Sequence, residues 1–148
     1  MAALLAMSDD DGIDESPALN GPHLRSRRLP RQIRVVAGDG IVVCTRCDVA
    51  DRPFTRMRGL LGRAGIAPGE GMLLTPGSSI MTFFMRFPID VVFLDKAQTI
   101  VKITHSLVPW RTTSARKAFA TLELPAGTAV SLGLEPGTAL VFVDATAR

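Results

Sequence analysis

Three charged residues lie in apolar or glycine-bearing segments, which makes them the first candidates for chemistry. Asp90 falls within MTFFMRFPIDVVFLD, the most apolar stretch of the chain, which spans residues 81–95. Glu123 lies between two leucines, and Arg58 precedes a glycine, where another backbone could approach closely. Because a buried carboxylate is costly unless it is paired or hydrogen-bonded, we expect a guanidinium from Arg58 or Arg86 to neutralise Asp90.

This pairing has two interpretations with different functional consequences. In the first, Arg58 or Arg86 holds an anionic ligand in a polar pocket, and Asp90 or Glu123 acts as an acid or a base. In the second, the pair is structural and fixes a helix against a sheet. Structural ion pairs look the same in a sequence, and we favour this second interpretation.

The sulfur-bearing residues do not indicate a metal or redox site. Cys44 and Cys47 have CxxC spacing, but a structural zinc site needs four ligands and no second pair exists. In a strand, residues three apart point to opposite faces, so we interpret the two as packed thiols. Methionine is common core filler, and we interpret Met57, Met72, Met81 and Met85 in that way. No nucleotide-binding motif occurs, so the sequence predicts neither a metal nor a cofactor.

Composition indicates one globular domain. The chain has 148 residues, of which 47% are hydrophobic, and a net charge of +3. Aromatic residues make up only 5%, with no Tyr and a single Trp, Trp110, which gives no strong nucleic-acid signal. No apolar run approaches the ~20 residues that span a bilayer, and the first residues make a poor signal peptide. We expect a cytoplasmic protein without a membrane span.

The pattern along the chain separates a tail from a folded domain. Residues 1–31 are acidic and then basic, without periodicity, and predict a disordered tail. The arginines from Arg25 to Arg34 could contact nucleic acid or anionic lipid, but a solvated linker is the simpler interpretation. Residues 32–148 predict a single domain.

Short strands dominate the predicted domain. We expect hairpins from residues 33–36 with 41–49, and from the central stretch with 99–104. Further strands are predicted at 72–74, 119–124 and 139–143, and a helical turn at 128–132. Alternation over 81–86 also predicts a strand, while 105–117 resembles a loop. One main helix, over residues 51–62, would close the sheet. The fold class is therefore mainly β with short helices (α+β), a compact β-rich sheet or barrel.

Four motifs in order resemble one known family. They are RGLLGR at 58–63, GMLL at 71–74, FFM with PID between 83 and 90, and LELPAG at 122–127. These motifs, from about Val42 to Val143, resemble the DUF-192 family, a small widespread family of unknown function. Its members often have Trp in place of Phe84, and Asn-Thr in place of Arg86 and Phe87. The resemblance implies a compact β-rich domain and no particular reaction.

These observations place a candidate site between three segments. It lies between the helix carrying Arg58, residues 84–90 and the loop 105–117, where Trp110 could act as a binding anchor. The predicted ligand-binding residues are Arg58, Phe84, Met85, Arg86, Asp90, Trp110 and Glu123. We expect a small non-enzymatic domain that binds a small molecule or a peptide, or serves as an accessory domain. A small hydrolase using Asp90 or Glu123 with Arg58 is the first alternative, and nucleic-acid contact through the arginine tail is the second. The sequence does not define the oligomeric state.

Overall fold

The computed structural model describes residues 31–51, 60 and 62–145. These residues form nine β-strands and one short helix. In chain order they are β1 (Gln32–Ala37), β2 (Val42–Ala50), β3 (Glu70–Leu74), β4 (Ser79–Met81), β5 (Ile89–Leu94), β6 (Ile100–Leu107), β7 (Thr112–Ser114), β8 (Ala120–Pro125), α1 (Thr128–Ser131) and β9 (Leu140–Asp144).

Seven of these strands form one sheet in the order β6-β5-β8-β3-β2-β1-β9. Neighbouring strands pair antiparallel, except β2 and β3, which run parallel. A parallel pair requires a crossover connection, and residues 51–69 connect these two strands. The strands β4 and β7 pair with each other as a separate antiparallel ribbon.

Strand β5 is buried on both of its faces. All six of its residues are buried, and successive side chains alternate between the faces. Val92 packs into the larger core cluster, while Val91 and Phe93 pack into the smaller one. The prediction of a central strand covered on both sides is confirmed.

The sheet is curled, because its two edge strands meet at one end. Thr99, just before β6, forms an antiparallel bridge with Ala139, just before β9. The Ile100 amide also donates a hydrogen bond to the Thr138 carbonyl at 2.9 Å. The resulting half-barrel encloses the larger cluster, which includes residues from all seven strands and Ala129 of α1.

The smaller core cluster lies on the other face of the sheet. Ile80 of β4 and the buried Leu60 pack there against β3 and β5. The β4–β7 ribbon therefore covers this face and ends at Met81 and Thr112, where the candidate site begins.

The prediction of a mainly β fold is confirmed, and both predicted hairpins are present as β1–β2 and β5–β6. The predicted main helix falls on residues 51–62, most of which lie outside the described residues. In the described part of the chain, the only helix is α1, which has four residues, so nothing there acts as a main closing helix. Closure comes instead from the curling of the sheet. No helix in the described ranges is long and apolar enough to cross a membrane.

Two local predictions need correction. The expected strand over residues 81–86 stops at Met81, because Phe84 has a positive φ of 67° that a strand cannot accommodate. The expected loop over 105–117 contains β7, whose residues pair with β4. The alternating pattern of residues 81–86 therefore belongs to a turn with exposed aromatic rings and not to a strand.

Candidate functional site

Five exposed apolar side chains cluster where the β4–β7 ribbon ends. We call this cluster, Met81, Phe83, Phe84, Val108 and Trp110, the aromatic patch. The Trp110 ring stacks on Phe83, with centroids 5.4 Å apart, and meets the edge of Phe84 at 4.7 Å. Despite these contacts, Phe84 is 71% and Trp110 54% exposed. Contiguous apolar surface of this kind marks interaction sites on proteins.

Thr82 joins the two loops that carry the patch. Its buried hydroxyl donates to the Val108 carbonyl at 2.8 Å and accepts the Arg111 amide N–H at 2.9 Å. Its own amide donates to the Arg111 carbonyl at 2.9 Å. Its carbonyl accepts the amide N–H of Trp110 at 3.0 Å and that of Met85 at 3.2 Å. The loops are therefore held together by hydrogen bonds in addition to the ring contacts.

The backbone of the patch is held in an unfavourable conformation. Phe84 and Trp110 both have a φ of 67°, in the left-handed region. This conformation costs roughly 1–2 kcal/mol per residue with a side chain, and it persists where the surrounding structure enforces it. The hydrogen bonds of Thr82 supply that constraint. Both rings are therefore positioned before any partner binds.

Positive charge accompanies the patch. Arg86 follows Phe84 by two residues, Arg111 follows Trp110, and both arginines are exposed. The Arg111 guanidinium donates to the Trp110 carbonyl at 3.1 Å. The surface therefore combines apolar rings with cationic side chains.

Asp90 is fully buried, and its side chain lies on the face of the sheet opposite to the β4–β7 ribbon and the aromatic patch. Its Oδ1 accepts the Ser106 amide N–H, and its Oδ2 accepts the Ala129 amide N–H, both at 2.8 Å. One carboxylate therefore fastens β6 and the first turn of α1 to the start of β5. Amide donors stabilise a buried carboxylate without a counter-ion.

The predicted arginine fork is not found on Asp90 in the described part of the chain. Arg86 is exposed and makes no ion pair with it, and Arg58 lies outside the described residues. The burial expected for Asp90 is confirmed, but backbone amides satisfy its oxygens. The two amide contacts join β6 and α1 to β5, and the sequence analysis did not identify these partners.

Glu123 is a buried carboxyl group whose pKa is raised. It lies on β8 opposite Met72 and Val91, on the face of the smaller cluster, and is 4% exposed. Its Oε2 has no hydrogen-bond partner among the described residues. Burial raises the pKa of Glu123 from 4.5 to about 8, although the positive charge of Arg63 lowers it in part. This shift favours the protonated, uncharged form of the side chain near neutral pH.

A partly exposed ion pair lies near Glu123. The Arg63 guanidinium is 3.3 Å from Asp48 Oδ2, and the other Asp48 oxygen accepts a hydrogen bond from the Gln32 side chain at 2.9 Å. Met72 on β3 is opposite Asp48 on β2 and opposite Glu123 on β8. The three residues therefore form one row across the sheet. Arg63 therefore forms an ion pair with Asp48, and its positive charge also acts at longer range on Glu123.

The two cysteines lie on the same face of β2, and the prediction that they point to opposite faces is wrong. A β-bulge between them changes the register, so that Cys44 is opposite Val35 and Cys47 is opposite Ile33. Both thiols are free and fully buried in the larger cluster. A hydrogen bond with Cys47 lowers the pKa of Cys44, whereas burial raises the pKa of Cys47 well above its ordinary value.

No group of three or more metal-ligating side chains occurs among residues 31–51, 60 and 62–145. Within those ranges, the cysteine pair has no His, Asp or Glu that would complete a four-ligand site, and we interpret it as part of the core.

The structure does not bring all of the predicted site residues together. Phe84 and Trp110 come together in the patch, with Arg86 beside them. Met85, which follows Phe84, is buried in the smaller cluster and anchors the patch to the core. Asp90 and Glu123 are buried away from the patch, and Arg58 lies outside the described residues.

Sequence reasoning missed Thr82, Arg111, and the pairing of Arg63 with Asp48. Thr82 had one available signal, since it is a small polar residue within an apolar run. Arg63 had another, since it ends the RGLLGR motif. Arg111 had none, because its role depends on contacts between distant segments.

Comparison with known proteins gives two solved structures with the same fold. A protein of unknown function from Novosphingobium aromaticivorans is 25% identical, with a TM-score of 0.64, covering 74% of this chain and 82% of its own. A "putative transcription regulator" from Sinorhizobium meliloti is 27% identical, with a TM-score of 0.66, covering 77% of this chain and 96% of its own. No curated protein matches the chain.

A family model described as "Uncharacterized ACR" matches residues 34–142. This range runs from β1 to β9 and includes the aromatic patch, Asp90 and Glu123. The earlier resemblance is thereby confirmed over most of the chain. The protein belongs to the DUF192 family.

Proposed function

We propose that this protein is a small non-enzymatic binding domain that meets its partner through the aromatic patch. The observation that carries the proposal is the combination of ring exposure and backbone constraint. Phe84 and Trp110 are exposed and adopt a costly conformation that the Thr82 hydrogen bonds hold in place. Exposed rings and a strained backbone do not help the domain to fold, and both are typical of binding surfaces.

The hydrolase alternative would depend on Glu123. A carboxyl group with a pKa of about 8 can act as a general acid at neutral pH. However, Glu123 is 4% exposed, so a substrate in solvent would not reach it without opening the structure. Asp90 uses both oxygens to bind backbone amides. These contacts favour a structural role for both carboxyl groups.

The nucleic-acid alternative concerns the arginine tail, most of which lies outside the described residues. The description of the Sinorhizobium meliloti protein as a "putative transcription regulator" accords with this alternative. A groove-reading helix is the usual means of sequence recognition, but α1 has four residues. A binding role for the aromatic patch therefore has more support within the described ranges.

Small aromatic probes can test the proposed function without knowledge of the partner. Phenol would be titrated into isotope-labelled protein while backbone amide NMR shifts are recorded. We expect saturable shifts confined to residues 82–86 and 107–112, because rigid apolar surface attracts aromatic probes. These shifts should disappear in a Phe84→Ser, Trp110→Ser double variant.

A matched control uses Val130, which is 69% exposed on α1, on the opposite face of the sheet. The Val130→Ser variant should give the wild-type shifts. The proposed function would be contradicted if phenol bound elsewhere, or bound the double variant as well as the wild type.

A further inference from the structure

We propose that the aromatic patch docks this protein onto the surface of an anionic membrane. The proposal rests on the proposed function and names the partner of that surface. It follows from the shape of the patch, the bonding of its backbone and the charge around it.

The patch has the shape of a projection. Its most exposed side chains, Phe84 and Met81, are 71% and 64% exposed, so they extend into solvent. Trp110 contacts both Phe83 and Phe84, and the rings occupy the space between the two loops. Exposed rings can insert into a deformable apolar phase, whereas a peptide or small ligand is usually held in a groove.

Backbone polar groups at the base of the patch are already bonded within the protein. The carbonyl groups of Thr82, Val108 and Arg111 each accept a hydrogen bond there. The amides of Trp110 and Arg111 donate to Thr82. Because a bilayer offers no water to unsatisfied backbone groups, this internal bonding lowers the cost of inserting the tips. Pro109, between Val108 and Trp110, has no N–H to satisfy.

Charge around the patch matches an anionic surface. Arg86 and Arg111 are both exposed, and they follow Phe84 and Trp110 by two residues and one residue. Between residues 79 and 116 the only acidic residues are Asp90 and Asp95. Asp90 is buried on amide donors, and Asp95 lies at the other end of β5, where it accepts the Ala97 and Thr99 amide N–H groups. No exposed carboxylate in this segment therefore lies beside the patch to repel anionic lipid.

The residue types fit the membrane interface. Trp is enriched at the level of the lipid headgroups, and arginines near an anionic leaflet each strengthen binding by about fivefold. Two arginines and three aromatic rings combine an electrostatic with an apolar contribution, and membrane binding strengthens with both. An acidic peptide would pair with Arg86 and Arg111, but a short peptide offers no pocket into which the exposed Phe84 ring could insert.

Vesicle binding measured through Trp110 tests the proposal, since this is the only tryptophan in the chain. Wild-type protein would be mixed with phosphatidylcholine vesicles, with or without phosphatidylglycerol, and followed by emission wavelength and by sedimentation. We expect a blue shift of the Trp110 emission and half-saturation at ~0.1 mM lipid for the anionic vesicles. Neutral vesicles should bind at least about tenfold more weakly.

Three variants define the contribution of each part. Phe84→Ser should weaken binding at least about tenfold by removing the projecting ring. The double variant Arg86→Gln, Arg111→Gln should lose about 25-fold and most of the salt dependence. Val130→Ser should bind like the wild type. Equal losses in all three variants would overturn the proposal.

Failure of this proposal can be distinguished from failure of the proposed function. If anionic vesicles leave Trp110 emission unchanged while phenol still binds at the patch, the membrane is the wrong partner and the binding surface remains. A protein partner would then be the next class to test. If neither vesicles nor phenol engage the patch, both proposals fall.

Discussion

Replacing Glu123 with Gln should remove a large pH dependence from the stability of the domain. The carboxyl group has a pKa of about 8 in the folded protein, because burial disfavours its charge, against an ordinary value of 4.5. Below pH 4.5 both the folded and unfolded chains hold the proton, so the group adds no penalty. Between the two pKa values only the unfolded chain releases it, and rising pH therefore favours unfolding.

The magnitude follows from the shift. Each pH unit between the two pKa values costs roughly 1.4 kcal/mol of unfolding free energy. The loss should reach roughly 3 kcal/mol at neutral pH and roughly 5 kcal/mol above the folded-state pKa, as orders of magnitude. Gln has nearly the same shape and does not ionise, so its buried amide costs a similar amount at every pH.

Urea unfolding of both proteins from pH ~5 to ~9 measures the effect. The unfolding free energy of Glu123→Gln minus that of wild type should increase as pH rises. Taking this difference cancels the contributions of the other titrating groups, which both proteins share. A second variant, Arg63→Gln, removes the charge that lowers the pKa of Glu123. In this variant the unfolding free energy should continue to fall to a higher pH than in wild type, because the folded-state pKa of Glu123 is higher. A difference between Glu123→Gln and wild type that stays constant over the whole range would show that Glu123 does not titrate with a raised pKa.

Three further substitutions have defined outcomes. Thr82→Val keeps the shape but removes a buried hydroxyl bonded to both patch loops, so unfolding free energy should fall by about 2 kcal/mol. Asp90→Asn places an amide group against a backbone N–H donor, and calorimetry should show a loss of roughly 2–4 kcal/mol. An unchanged melting temperature would contradict the structural role of Asp90. Gly71→Ala would put a Cβ 2.9 Å from the Glu123 carbonyl oxygen, and we expect a loss of soluble protein or of at least ~2 kcal/mol.

Much of the sheet could be predicted because its strands follow simple patterns. The segment from Ile89 to Leu94 is apolar on both faces, and it is the strand buried on both sides. Turn residues such as Gly38 to Gly40 marked the first hairpin correctly. Curling of the sheet was not visible, because the bridge between Thr99 and Ala139 joins segments distant in sequence.

The site was harder to predict, since its contacts involve the backbone. Burial of Asp90 could be inferred from its apolar neighbours, but its amide partners on Ser106 and Ala129 carry no signature in residue type. The bulge that turns Cys44 and Cys47 to one face is likewise a backbone feature. Trp110 was identified as a possible anchor, whereas its packing with Phe83 became visible only when the loops were placed together.

Trp110 stands half in water on the folded domain, within the proposed contact surface. Acrylamide quenching of its fluorescence measures this exposure, because the chain contains no other tryptophan. Its exposed fraction is 54%, so native protein should be quenched at roughly half the rate of urea-unfolded protein. Quenching of native protein near the level of a fully buried indole would contradict the claim and the binding surface built on it.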